Sequence, residues 1–593
     1  MPFLSFTLSP VFAISMQRNR LHRLSNGLAF RISGMHEMLD DRSYIQHPPP
    51  STHDDRPNEI IVTFPVYRVA SLLCESYESN VDHLCRILHK PTVRSLITTF
   101  YIRINESEPI LPSEAALLLS IFAIAAYFYS YFDGSEIVTT RQDAIHLSKT
   151  LSKGALDVLD YTRRNTSGTL EDVQATIIMS FVTWHLDGFS ARGRLLSTAA
   201  MSIARELRLH RLDAAEESSA FERETSVTFL INREVKRRVF WHIASTDWLL
   251  SAISGPQEGM YFINPNHVNV KLPRDCTDSD IVLSQGNEPI SGPQPTGMTF
   301  FLERLRLAHL CREMTDTVPL ETSQLMQMPY DDIIALDGKL QAFILSLPFF
   351  FKLDPESRSK SIILEATYPK IPIERYCITT EVHTRRCKLH QRFLHRQSID
   401  LRYAYSRRAC LESARAVINV YGDLRRSDSL STAPDLMGMA IHTTHLALVV
   451  MVMDLCFNKT EVDESEMKAE VKAALQMFED SRNASPLLNR LLSSLSEVLR
   501  KHKVELPTTS TLEINNAAGS SNGVALDAFD NPSDEDAMQS MAATQRGLDG
   551  MQDAEFALDT PFDEFWQIAL QGEPHPDSVS WDNLFSSLDS RPF

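Results

Sequence analysis

The chain has 593 residues, 43% hydrophobic and 23% charged, with a formal net charge of −18. That balance belongs to an ordinary globular protein and excludes a fibrous or wholly disordered one; the length suits one large or two fused helical domains with flexible ends. Sixteen acids and only two bases, Arg546 and Arg591, follow Glu505, so the tail carries −14 and the body is near neutral, with little of the phosphate attraction that nucleic-acid binding needs. The eight cysteines are scattered and form no Cys-x2-Cys pair, a pattern of reduced, buried thiols rather than of a disulfide scaffold or a thiolate zinc site.

Residues 1–58 read as a flexible arm. Its first 36 residues hold no acid, and Arg18, Arg20, Arg23 and Arg31 alternate with apolar and polar residues, a composition shared by transit peptides and by segments that are not the natural start of a protein. The Pro-rich stretch QHPPPSTHDDRPN at 46–58 closes the arm as a linker. From 59 to 505, apolar residues recur at helical spacing and almost nothing alternates with period two, so the body is expected to be all-α. Two apolar runs, Ala115 to Phe132 and Met439 to Phe457, approach the length of a membrane span. The first lacks basic flanks, the second contains His442, His445 and Asp454, and both read as helices buried on all sides. Gly188 to Gly193 reads as a turn between helices.

The stretch from Leu207 to Asp280 is the most informative. It contains Leu209-His210-Arg211, then Glu234-Val235-Lys236-Arg237-Arg238-Val239-Phe240-Trp241, Asp247, Ser251, Gly255-Pro256, Leu272-Pro273, Asp278 and Asp280. Val235, Val239, Ile243, Thr246, Leu250 and Ile253 follow steps of three and four and form a core-facing stripe. Asp247 lies on its flank, where a buried carboxylate needs a partner; an Arg or a backbone donor from the preceding helix is expected, with Arg205 and Arg211 as candidates. Lys236, Arg237 and Arg238 spread around the helix and are expected to be mostly solvated, although such a cluster also suits nuclear import or phosphate binding. From Gly255 to Gly297 the residues are those of an extended surface excursion. The run Arg385 to Arg396 interleaves bases with Leu389 and Phe393, which suits a nucleic-acid contact, but a structural helix end or a surface helix is the expectation.

In this order the motifs resemble the fungal-specific transcription factor domain, the middle regulatory region of fungal regulators that carry a binuclear zinc cluster. That family shows Leu-Gly-Leu-His-Arg, Glu-x-Arg-Arg-Arg-x-Phe-Trp, an Asp, a Ser, Gly-Arg-Pro and Leu-Pro with acids after it. Here Ser202 stands for a usual Arg, Arg208 for the usual Gly, Lys236 for the first Arg of the triplet, and the Arg between Gly255 and Pro256 is missing. Further elements follow the family's order: His89-Lys90-Pro91-Thr92, then Lys388-Leu389-His390-Gln391-Arg392, Tyr403 with Ser406, and Cys410 with Ala414. The resemblance implies a nuclear regulator whose DNA contact comes from the family's Cys-x2-Cys-x6-Cys cluster, which is not in these 593 residues, or from a partner. Zinc would be a cofactor only through such an upstream cluster, and a homodimer is compatible with the resemblance.

No nucleophile elbow, phosphate-binding loop, dinucleotide fingerprint or His-Glu-x-x-His helix occurs in the sequence. Cys387 with His390, and His442 with His445, have metal-like spacing but lack further ligands, so neither an enzyme nor a metal site is expected. From 506 to 593 the composition is that of a mostly disordered acidic tail. Phe562, Phe565 and Trp566 sit among acids, and Trp581, Leu584, Phe585 and Leu588 have the i, i+3, i+4, i+7 spacing of one helix face. Such acidic-hydrophobic mixtures suit activation segments that contact the transcription machinery; docking on the chain's own body is the alternative. The competing function is a helical sensor or co-regulator, without DNA affinity, that binds a metabolite or a DNA-binding partner. Regulators of this family often control pathway genes, including secondary-metabolite clusters.

Overall fold

The computed structural model describes residues 21–23, 27–40, 60–129, 137–188, 190–214, 226–253, 255–281, 294–394, 400–426, 437–457 and 464–479, with isolated positions between and just after these. The tail residues Phe562, Phe565, Trp566, Trp581, Leu584, Phe585 and Leu588 and the linker 46–58 lie outside the described residues. In chain order the elements are β1 (Leu21–Arg23), β2 (Leu28–Ser33), α1 (Met35–Leu39), β3 (Ile60–Pro65), α2 (Tyr67–Asn80), α3 (Asp82–Cys85), α4 (Lys90–Glu106), α5 (Pro112–Tyr127), α6 (Arg141–Asn165), α7 (Leu170–Asp187), α8 (Ala191–Glu206), α9 (Val227–Ser251), α10 (Thr299–Thr317), α11 (Thr322–Gln327), α12 (Tyr330–Ser346), α13 (Pro355–Thr367), α14 (Ile371–His390), α15 (Ala404–Arg426), α16 (Gly438–Phe457) and α17 (Glu464–Glu479). The helical body is as expected.

The helices start where local chemistry satisfies their free N–H groups. Thr140 and Asp143 cap α6 reciprocally, Thr169 and Asp172 do the same for α7, and Ser190 caps α8 after Gly188 turns the chain at φ +75°. Proline stands in the first turn of α4, α5, α13 and α14, where its missing N–H costs nothing. From Ala115 to Tyr127, α5 is buried on every side and packs against α2, α6 and α7. The apolar run at the C-terminal end forms α16, packed against α14, α15 and α17, with Asp454 fully buried and held by Arg407 at 2.6 and 2.9 Å. Among the described residues, no helix is long and apolar enough to cross a membrane.

The N-terminal segment departs from the expected flexible arm. β2 pairs antiparallel with β1 and parallel with β3, from Leu28 opposite Ile60 to Ser33 opposite Pro65. Leu28, Ala29 and Phe30 are fully buried, and Phe30 packs edge-on against Phe64 at 5.6 Å, with Phe100 of α4 completing the cluster. A strand of six residues carries too short an alternation to stand out from sequence alone, and its pairing partner lies 32 residues away.

Candidate functional site

Ser226 starts α9 by accepting the amide of Phe229, and from Glu234 to Ser251 the helix is buried on nearly every side. After Ser251 the chain reverses through Gly255 (φ +140°) and Gly259 (φ +74°), and residues 260–281 run back along α9. No ladder holds this strap. Side chains of the helix bind its backbone instead: those at positions 234, 241 and 248, which share one face, and Asp247 beside them. Trp248 Nε1 donates to the Ile263 carbonyl at 2.9 Å and Trp241 Nε1 to that of Lys271 at 2.8 Å. Asp247 accepts the amides of Phe262 and Ile263 at 2.9 and 2.8 Å, and Glu234 accepts that of Arg274 at 2.9 Å. The segment expected as a surface excursion therefore has a buried inner edge, at Val270, Cys276 and Ile281.

Two expectations are corrected here. Asp247 is buried, but its donors come from the strap that follows; Arg205 and Arg211 are exposed. Burial pushes its carboxyl up to about 6 despite the two amides. Nor are the basic residues solvated: Arg237 and Arg238 are buried, and only Lys236 is half-exposed. Arg237 binds Asp213 at 3.0 and 2.6 Å, Arg233 adds contacts at 3.1 and 2.8 Å, and the Lys271 amide completes the shell at 2.7 Å. Burial would raise the Asp213 carboxyl, yet the Arg237 bonds, the Lys271 amide and Arg233 hold it down at about 2. Arg238, 1% exposed, reaches Asp278 at 2.7 Å and lies 3.6 Å from Glu234.

Asp278 also accepts the amide of Lys90 at 3.1 Å, in the first turn of α4, beside the His89 to Thr92 side-chain bond of 2.7 Å. Motif elements nearly 190 residues apart thus meet at one point. His210 and Arg211 occupy the turn before Asp213, where the His210 carbonyl accepts the Asn269 amide at 2.8 Å. Phe240 is buried, Pro273 is buried, and Leu272 and Pro256 are exposed. Arg208, where the resemblance expects glycine, takes up φ +54°, a left-handed conformation that glycine enters without strain. Asp213 and Arg233 were missed in the sequence; the signal available was an acid two residues after His210-Arg211.

The second motif forms its own buried centre at the end of α14, so of the two expectations for the run from Arg385 the structural helix end holds and the surface helix does not. Arg386 grips Asp337 at 2.7 and 3.1 Å, Tyr405 donates to the same carboxylate, and His390 bonds Ser406 at 2.9 Å. Burial opposes ionisation of Asp337, but His390 and Arg386 outweigh it and hold its carboxyl far below the usual range. Arg385 donates to the Leu249 carbonyl at 3.0 Å, and Lys388 reaches Glu258 in the Gly-Pro turn at 2.6 Å. Both contacts tie α14 to the end of α9. These groups lock parts of the body together.

Between α7, α8, α9, α10 and α14 lies a cavity of about 100 Å³. Its walls include Phe181, Trp184, Ala200, Met201, His242, Ile243, Phe300, Arg304, Tyr376 and Glu381. Arg304 bonds Glu381 at 3.1 Å and Ser245 at 3.0 Å. Burial, with Arg304 nearby, lowers the His242 imidazole to about 3, so it is neutral.

The Fungal specific transcription factor domain matches residues 74–342, a span that contains both the strap and its helix. The chain is 36% identical over 572 residues to the probable transcription factor lepB of Aspergillus flavus, covering 96% of this chain and 100% of that one. It is 29% identical to the agnestins biosynthesis cluster transcription factor AgnL11 of Paecilomyces divaricatus, over 74% of this chain and 62% of that one. To the aurofusarin cluster transcription factor aurR2 of Gibberella zeae it is 27% identical, over 42% of this chain and 35% of that one. With the buried motif centre and a relative matched along nearly its whole length, the chain belongs to the fungal-specific transcription factor family.

Proposed function

We propose that this transcription regulator activates the genes of one fungal biosynthetic cluster, working in the nucleus. The observation that carries the reading is the end-to-end match to a transcription factor, and two further relatives bear the names of biosynthetic clusters. The family and these relatives are transcription factors rather than enzymes. Because Arg237, Arg238, Arg385 and Arg386 are committed to buried ion pairs and carbonyls, the body is a regulatory scaffold, and DNA contact comes from a zinc-cluster module or a partner protein. A second copy of the chain is a natural partner. A body at 59–505, with β2 of the N-terminal segment paired to it, and an activation tail at 506–593 belong to the same proposal.

Activation is assigned to the acidic tail, where Phe562, Phe565, Trp566, Trp581, Leu584, Phe585 and Leu588 supply apolar anchors and the surrounding acids keep them in solution. Deleting the gene and sequencing transcripts tests the regulator reading: coordinate loss of transcripts from one contiguous gene set is expected, and an unchanged transcriptome rejects it. Fusing residues 550–593 to an unrelated DNA-binding domain tests the tail. Reporter output well above background is expected; output at background assigns activation elsewhere. A fluorescent fusion excluded from nuclei would reject the location.

A further inference from the structure

We propose that the cavity beside α9 is a binding site for a neutral, flat, largely apolar molecule that carries hydroxyl donors. At about 100 Å³ it suits a compact guest rather than a drug-sized one, and it is walled by side chains drawn from both the N-terminal and C-terminal helices. Phe181, Trp184, Phe300 and Tyr376 line it, and aromatic walls favour a planar guest in offset or edge-on contact.

The polar groups narrow the chemistry further. Arg304 and Glu381 bond each other at 3.1 Å, so the site offers a charged ligand no uncompensated counter-charge, and desolvating such a ligand would be costly. The cavity wall contains two buried acceptor atoms that have no partner among the described residues, Nδ1 of His242 and Oε2 of Glu381. Burial keeps the His242 imidazole neutral, so its unmatched Nδ1 can accept a hydrogen bond. Arg304 is already engaged with Glu381, Ser245 and Thr246. The walls therefore have acceptors to spare, and the complementary guest brings O–H donors. Burial pushes the Cys85 thiol up to about 12, so covalent capture at that thiol is excluded.

This site goes beyond the regulator reading, and binding is measured without DNA or transcription, so either can fail alone. Purified full-length protein is titrated calorimetrically with 2-naphthol, 2-methoxynaphthalene and 2-naphthoate. The expected result is saturable binding of 2-naphthol, with the methyl ether and the carboxylate each at least tenfold weaker. Ala200→Leu, which fills the cavity wall, is expected to weaken 2-naphthol at least tenfold while circular dichroism stays that of the parent. Ser180→Leu makes the same test from α7. Absence of 2-naphthol binding up to its solubility limit overturns the proposal, as do equal affinities for the three probes or parental affinity in both folded variants. If neither variant folds, the ranking of the three probes on the parent protein decides alone.

Discussion

At the scale of single residues, Asp247 makes the sharpest pH prediction. Its carboxyl titrates at about 6 in the folded chain against about 3.9 when unfolded. The folded state thus holds the proton more tightly, and the stabilising contribution of this group is complete below about pH 4 and lost as pH rises through about 6. Two units correspond to about 3 kcal/mol at most. Asp247→Asn keeps an acceptor for the Phe262 and Ile263 amides and removes the charge. Its stability relative to the parent is expected to rise between pH 4 and 7 by about 1–3 kcal/mol, read from urea denaturation at stepped pH; a difference that does not change with pH would refute the assignment. Arg208 makes a second prediction. A left-handed backbone costs a non-glycine residue about 1–2 kcal/mol, and glycine gives back about 0.5–1 kcal/mol in chain entropy. Arg208→Gly is therefore expected to stabilise the protein by about 0.5–1 kcal/mol in the same denaturation measurement, and a destabilised variant would show that the Arg208 side chain matters more than its backbone.

At the scale of elements, the strap is held by single side-chain bonds rather than a ladder, so each bond can be tested at an identified amide. Asp213→Ala takes the shared carboxylate from Arg233 and Arg237 and frees the Lys271 N–H. Breaking a buried pair on one side typically costs about 3–5 kcal/mol. Hydrogen exchange at Lys271 is expected to accelerate at least tenfold, roughly what 1.4 kcal/mol of local opening produces, while amides in α5 change only with global stability. Exchange at Lys271 equal to the parent would mean that the strap is held without Asp213. This arrangement also explains what was and was not legible in the sequence. Helix bodies follow from 3.6-residue spacing, as with Val235, Val239 and Ile243, and from caps such as Thr140 with Asp143, because both signals lie within one or two turns. Arg237 and Arg238, read within that window, look like a solvated basic patch. They are buried because residues 24 to 40 positions distant, Asp213 and Asp278, are brought to them by the turn and the strap. The motif order therefore identified the family without revealing that its charged residues are a structural lock. The cavity was illegible for the same reason, since no single element supplies more than a few of its walls.

At the scale of the whole molecule, the N-terminal segment is a structural member of the body. Leu28 and Phe30 are completely buried, β2 is bonded to β3 along six residues, and Phe30 touches the Phe64 and Phe100 rings that connect the sheet to α4. A large apolar side chain removed from a core costs about 3–5 kcal/mol, a sizeable part of the roughly 5–15 kcal/mol that holds a typical domain together. Deleting residues 1–40 removes several such side chains and exposes the edge of β3 and the faces of Phe64 and Val62, surface that invites association. Phe30→Ala isolates the packing contribution without exposing a strand edge, and a loss of about 3–5 kcal/mol is expected from denaturant melts. The 1–40 deletion is expected to be worse, giving soluble aggregates on size-exclusion chromatography. If the 1–40 deletion melted like the full chain, β2 would contribute nothing to the core, and the body would begin at β3, as the composition of the arm first suggested.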